Sequence, residues 1–152
     1  MIQDVNDRIE LKKIESEDYT FLYELLKKRD PIYNISHKKM PSYDEHEKFV
    51  RSKPYTNWYI IFLNKEKIGA AYLSFDDEIG ISFFPDYDIE VFRKKSLDEL
   101  IDKNPRKRYL ANVNPMNEKY KEFLKKEGFK LFSNYEKNDD CPQDTFELKK
   151  IQ

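Results

Sequence analysis

The stretch ANVNPMNEKYKEFLKKEGFK, residues 111 to 130, decides the fold. The end of an extended piece, RYLANV, runs through Asn114-Pro115 into NEKYKEFLKKEG, and the run stops on Gly128-Phe129, a glycine suited to closing a helix. Asn114-Pro115 most simply ends the strand and starts the helical turn. Asn117 stands at the mouth of the helix, where the first backbone N–H groups have no partner in a preceding turn, so its side chain reads as a cap. Such a mouth can also hold a ligand.

Upstream, the alternation of Ile9 and Leu11 in RIELKKI predicts a first strand, and Ser16 with Glu17 and Asp18 predicts a cap and first-turn acids for a helix carrying Tyr19, Leu22, Leu25 and Leu26 on one face. Ser42 and Glu45 have capping-box spacing, so a second, short helix begins there, with Tyr43, His46, Phe49 and Val50 on one face and His46 packed or near the cap. Beyond Pro54 the period changes. WYIIFL, the four-residue turn NKEK, IGAAYLSF, the turn DD and EIGISFF read as three antiparallel strands. DIEVFRKKSLDELIDKNP is helical in spacing and ends at Asn104-Pro105, and FKLFSNYE with TFELKK forms a final strand pair. The order β-α-α-β-β-β-α-β-α-β-β, without linker composition between the pieces, predicts one α/β domain over residues 1–152.

Composition narrows the classes. The chain has 152 residues, 39% of them hydrophobic, which suffices for a core without metal or disulfide. A net charge of -1 with 38% charged residues of both signs gives no basic field for nucleic acid. Paired lysines at 12, 27, 38, 94, 125 and 149 read as solvated faces and helix ends. Cys141 is the one cysteine, the first residues are polar, and no apolar run approaches a spanning helix, so the expected setting is cytoplasmic, without membrane contact. Metal-ligand spacing, nucleophilic triads and phosphate-binding P-loops have no match.

The element order, with Asn117, Tyr120, Phe123-Leu124 and Gly128-Phe129 in their places, resembles the GNAT N-acetyltransferase superfamily. The resemblance implies a mixed, mostly antiparallel central sheet flanked by helices, whose fourth and fifth strands are parallel and splay to admit acetyl-CoA. It implies no metal. Phe83 and Phe84 at the end of EIGISFF, with Asn117, then become cofactor contacts. The front half is similar to members that acetylate amino sugars for surface glycans, through Arg29, Ile35-Ser36 and Glu45-His46, and also to relatives that modify protein N-termini. The loop between the first two helices, with Tyr33, Asn34 and His37, becomes the acceptor loop, joined by Asn112 of the fifth strand.

Two departures stand out. Where the family has a glycine-rich turn that grips the CoA pyrophosphate, this chain has PDYDIEVFRKKS, with Asp88, Val91 and Arg93 at the key positions. Asp86, Asp88 and Glu90 bring negative charge there, and Arg93, Lys94 and Lys95 are the cations that would answer it and hold phosphate. An acidic helix start that satisfies the dipole is the alternative. The family's tyrosine, a proton donor to the leaving thiolate, is replaced by Leu124. Tyr120, one turn earlier and rotated by about 40°, is the candidate donor, or else an aromatic packed on the sheet. Glu78 is the candidate acceptor of the ammonium proton, directly or through water, or else part of a solvated hairpin turn. The expected function is transfer of an acetyl group from acetyl-CoA to a primary amine, a small molecule such as an amino sugar nucleotide. The alternative is a catalytically inactive GNAT-fold module that binds a small molecule or a partner protein. A homodimer is the candidate assembly.

Overall fold

The computed structural model describes residues 7–34, 39–134 and 143–150; His37 and Cys141 lie outside them. The elements are β1 (Ile9–Lys13), α1 (Tyr19–Lys28), α2 (Tyr43–Arg51), β2 (Asn57–Leu63), β3 (Glu66–Leu73), β4 (Glu78–Phe83), α3 (Glu90–Lys103), β5 (Arg108–Val113), α4 (Glu118–Lys126), β6 (Lys130–Ser133) and β7 (Asp144–Lys149), in the predicted order. They form one sheet, β1-β2-β3-β4-β5-β7-β6, in which β4 and β5 are parallel and the other neighbours antiparallel. The parallel pair exists because α3 lies between its strands and carries the chain back across the sheet. Among the described residues no helix is long and apolar enough to cross a membrane.

Each face of the sheet has its own core. Ile61, Leu73, Ile81 and Phe83 meet Phe92, Leu97 and Leu100 of α3 and Phe123 and Leu124 of α4 on one side. On the other, Ile60 and Ala70 meet Leu22, Leu25 and Val50 of α1 and α2. Alternation along β4 feeds this division: Ile79, Ile81 and Phe83 are buried, whereas Glu78, Gly80 and Ser82 are half-buried on the α1/α2 side. Full burial of each large apolar side chain contributes about 1.5–3 kcal/mol.

Helix ends follow local chemistry, with differences from the sequence reading. Ser42 and Glu45 form the expected capping box at α2. The box before α1 belongs to Glu15 and Asp18 instead of Ser16, because a 3-10 turn, Ser16–Asp18, precedes the helix. α4 closes as expected: Gly128 has φ +96°, and Phe129 N–H donates to Leu124 O at 2.9 Å while Gly128 N–H donates to Lys125 O at 3.1 Å. The NKEK turn is shorter than expected. Only Asn64 and Lys65 turn, at φ 49° and 78°, because the mirror-image turn with positive φ at both central residues matches the strand twist. Phe49 is 47% exposed, so its helix face buries His46 and Val50 without it.

Asp77 sets where β4 and β5 begin. Its carboxylate accepts from Arg106 Nη1 at 2.7 Å and Arg108 Nε at 3.2 Å, and its carbonyl accepts from Leu110 N–H at 2.8 Å. These bonds hold the carboxyl below the usual carboxylate range, Arg106 contributing most. A depressed folded value contributes stability that is present above the unfolded value of about 3.9 and lost as pH falls through the folded one. Asp77→Asn keeps a residue tolerant of φ 69° but removes the charge, and should lower stability near neutrality by about 1–2 kcal/mol. Urea unfolding at several pH values checks this: below pH ~4 the difference between the two proteins should shrink. A constant difference would assign the loss to packing.

Candidate active site: a parted strand pair and a neighbouring cavity

β4 and β5 pair only at Glu78–Leu110 and Ile79–Ala111. Gly80 and Ser82 pair with Tyr72 and Ala70 of β3, and Phe84 N–H donates to Ile68 O, so the alternating backbone groups of Ile81 and Phe83 are directed away from β3, toward the gap. The mouth of α4 borders it. Asn117, 3% exposed, accepts from Tyr120 N–H at 3.1 Å through Oδ1, while its buried Nδ2 has no partner among the described residues. A buried amide donor left unpaired is costly unless a ligand accepts from it. The first turn of α3 also carries donors with no partner among the described residues: Ile89 supplies no side-chain cap, and the first helical hydrogen bond is Arg93 N–H to Ile89 O.

Arg93 stands within this gap. It is 3% exposed; Nη1 donates to Ile81 O at 2.9 Å and Nη2 to Asp88 Oδ1 at 2.9 Å. The guanidinium lies 4.8 Å from the ring centre of Tyr33, 5.1 Å from that of Phe83 and 5.1 Å from that of Tyr120. Arg93, read from the sequence as a cation that would answer the acidic run and hold phosphate, is thus engaged by Asp88 and by a carbonyl of β4. Arg93 and Asp88 neutralise each other because α3 starts close enough to β4 for the long side chain to reach the strand edge. Lys94 points elsewhere, 54% exposed and paired with Glu127 at 2.9 Å and Asp98 at 3.5 Å.

The remaining candidates divide between gap and sheet face. Tyr120 is 8% exposed, with its ring 5.7 Å from Tyr33, and burial pushes its phenol up against the opposing influence of Arg93. Tyr33 is raised for the same first cause. Asn34 links the residue after β5 to the end of α1: its carbonyl accepts from Asn114 Nδ2 at 2.8 Å and its Oδ1 from Arg29 Nε at 3.1 Å. Glu78 Oε2 accepts from Asn112 Nδ2 at 2.9 Å, and Asn112 Oδ1 accepts from Thr145 Oγ1 at 2.8 Å. Phe83 borders the gap, whereas Phe84 packs edge-on against Phe21 at 5.4 Å on the other side of the sheet.

A cavity of about 440 Å³ opens on that α1/α2 side, lined by Leu22, Leu25, Arg29, His46, Tyr55, Trp58, Tyr72 and Ser82 among others. Tyr55 and Tyr72 stack at 3.9 Å and 7°. Burial raises both phenols. The Tyr72 ring lies on Gly80, where an added Cβ would stand 2.1 Å from Tyr72 Cε2. Sequence reasoning missed Tyr55, Tyr72 and Ser82. The available signal was Gly80, a glycine inside a strand, which marks a close approach.

The seven-stranded sheet of the described residues, antiparallel except for the parted pair β4 and β5 and flanked by four helices, is the GNAT fold. The chain is similar to a GNAT-family acetyltransferase from Bacillus anthracis, with 17% identity and TM-score 0.72 over 92% of each chain. An acetyltransferase from Salmonella typhimurium that modifies the N-terminal serine of ribosomal protein L7/L12 is similar at 16% identity and TM-score 0.72, over 94% of this chain and 95% of that one. The spermidine N-acetyltransferase from Vibrio cholerae, in complex with CoA and spermine, is similar at 17% identity and TM-score 0.72, over 91% and 92%. No family model and no curated protein matches the sequence.

Proposed function

We propose that this chain is a GNAT-type N-acyltransferase that binds acetyl-CoA along the open edge of β4 and serves a primary amine held in the cavity beside it. The observation that carries this reading is the parting of β4 from β5 after Ile79 and Ala111, with the unpartnered Nδ2 of Asn117 at its border. The backbone of Ile81 and Phe83, Asn117 Nδ2 and the free N–H groups at the start of α3 fit the amide arm and phosphates of CoA, provided Arg93 turns out of the gap. Bound acetyl-CoA supplies an activated thioester acyl group. Asn117 orients the arm. Glu78, held by Asn112, is the acceptor for the ammonium proton, and Tyr120, kept protonated by burial, is the donor on the gap side. Positioning does the rest. An amino sugar nucleotide is the acceptor favoured by the front-half resemblance.

A second reading, a module that binds the acceptor without catalysis, is favoured by one observation: Arg93 occupies Ile81 O, on the edge an arm would need. Asn117→Ala distinguishes the two. The loss of the cap lowers stability by about 1 kcal/mol in either case, but CoA affinity falls only if the amide is a ligand. Titration calorimetry on the folded variant reads that difference, and unchanged CoA affinity removes Asn117 from the site. Absence of acetyl transfer to any amine, with no CoA bound even after Arg93 is replaced, would leave the second reading.

A further inference from the structure

We infer that the cavity beside β4 takes an anionic amine, whose carboxylate or phosphate is bound by Arg29. The word amine rests on the acyltransferase reading; the anion site does not. Arg29 lines the cavity and among the described residues has only neutral partners, Nε donating to Asn34 Oδ1 at 3.1 Å and Nη1 to Ser82 Oγ at 3.4 Å. Nη2 has no partner among the described residues. By contrast, Arg93, Arg106 and Arg108 each meet a carboxylate, at 2.9, 2.7 and 3.2 Å. A guanidinium drawn partly out of water without a counter-charge is an incomplete pair, and burial pulls Arg29 below its usual range.

The other charged groups leave that vacancy to a ligand. Glu45 lines the cavity, but its Oε1 accepts from Ser42 N–H at 2.8 Å at its own helix end. Asp30 accepts from Ile32 N–H at 3.0 Å, and Glu78 is engaged by Asn112. Lys39 and Glu45 bring one charge of each sign to the lining, so its excess positive charge is that of Arg29. His46, 5% exposed, is held toward its neutral form by burial against the opposing influence of the Tyr19 backbone, and its Nε2 has no partner among the described residues. The cavity therefore has a planar cation and an unengaged imidazole nitrogen at its polar places.

Its walls suit a compact ring or a short chain. The stacked Tyr55 and Tyr72, with Trp58 edge-on to Tyr55 at 4.8 Å, give flat apolar surfaces, and a volume of about 440 Å³ falls within the span of small-molecule sites. Ser82, beside Arg29, stands between Ile81 and Phe83, whose backbones are directed toward the gap. An anion on Arg29 thus puts the amine of the same molecule within a few bonds of the β4 edge. A polyamine, which would bring positive charge against Arg29, is disfavoured.

Calorimetric titration without CoA tests this with glutamate, glucosamine 6-phosphate and spermidine. The wild type should bind at least one of the two anionic amines and not spermidine, and whichever binds identifies carboxylate or phosphate as the anion. Arg29→Gln should weaken that binding by about tenfold or more, with Arg29→Lys intermediate, since a lysine keeps the charge without the planar fork. Binding of neither anionic amine, equal binding of spermidine, or unchanged affinity in a folded Arg29→Gln overturns the inference. If that variant does not fold, the wild type's choice among the three probes decides. A parallel CoA titration of the wild type and of Arg93→Ala separates the failures: CoA bound without either anionic amine sinks the anion site alone, and an anionic amine bound while neither protein binds CoA sinks the acyltransferase reading alone.

Discussion

Replacing Arg93 by alanine should lower the stability of the free protein by about 3 kcal/mol and, at the same time, strengthen CoA binding by roughly tenfold or more. The loss follows from what the side chain does at rest. Its guanidinium is 3% exposed, pairs with Asp88 and satisfies Ile81 O, and its removal leaves a partly buried carboxylate and a strand carbonyl without their partner. The gain has the same origin. A channel closed by these bonds lowers apparent affinity by the fraction of molecules that are open, and a closed state favoured by about 1.4 kcal/mol reduces it tenfold. Asp88→Asn should loosen the closure less, raising CoA affinity with a smaller loss of stability. Urea unfolding and calorimetry read the two effects separately. Weaker CoA binding by a folded Arg93→Ala would restore the role suggested by the sequence, a cation that holds phosphate.

Gly80→Ala should damage the acceptor side while leaving the CoA side intact. The added methyl would stand 2.1 Å from Tyr72 Cε2 and 2.4 Å from Tyr72 Cζ, and the ring cannot lift freely because Tyr55 is stacked on it at 3.9 Å. Forcing the pair apart should lower stability by about 1–3 kcal/mol, as overpacking does, and push both rings into the cavity they line. Acceptor affinity should fall by about tenfold, with KM rising more than kcat falls. CoA affinity should not change, since Gly80 bonds toward β3 and not toward the gap. A parallel loss of CoA affinity would mean that the substitution had moved β4 as a whole.

Much of this fold was legible because its signals are local. Gly128, the Ser42–Glu45 box and the alternation of Ile9 and Leu11 along β1 each act within a few residues, and the structure places them as read. Asn117 at the mouth of α4 was legible for the same reason. The content of the gap was not. Whether Arg93 points to solvent or to Ile81 depends on where β4 and β5 part, which no feature of PDYDIEVFRKKS encodes, and the sign of the Asp88 interaction depends on that choice. The cavity was hidden for a related reason: α1, α2, β2, β3 and β4 all contribute to its lining, so it exists only once the sheet has assembled.

The central claim is that CoA lies along the β4 edge facing β5, and amide hydrogen exchange tests it most directly. In Arg93→Ala, added CoA should slow exchange at Ile81 and Phe83, whose N–H groups are directed toward the gap, while Gly80 and Ser82, already bonded toward β3, serve as the internal reference. The wild type should show the same pattern at higher CoA concentration. Unchanged exchange at Ile81 and Phe83 in the variant at saturating CoA would contradict the account.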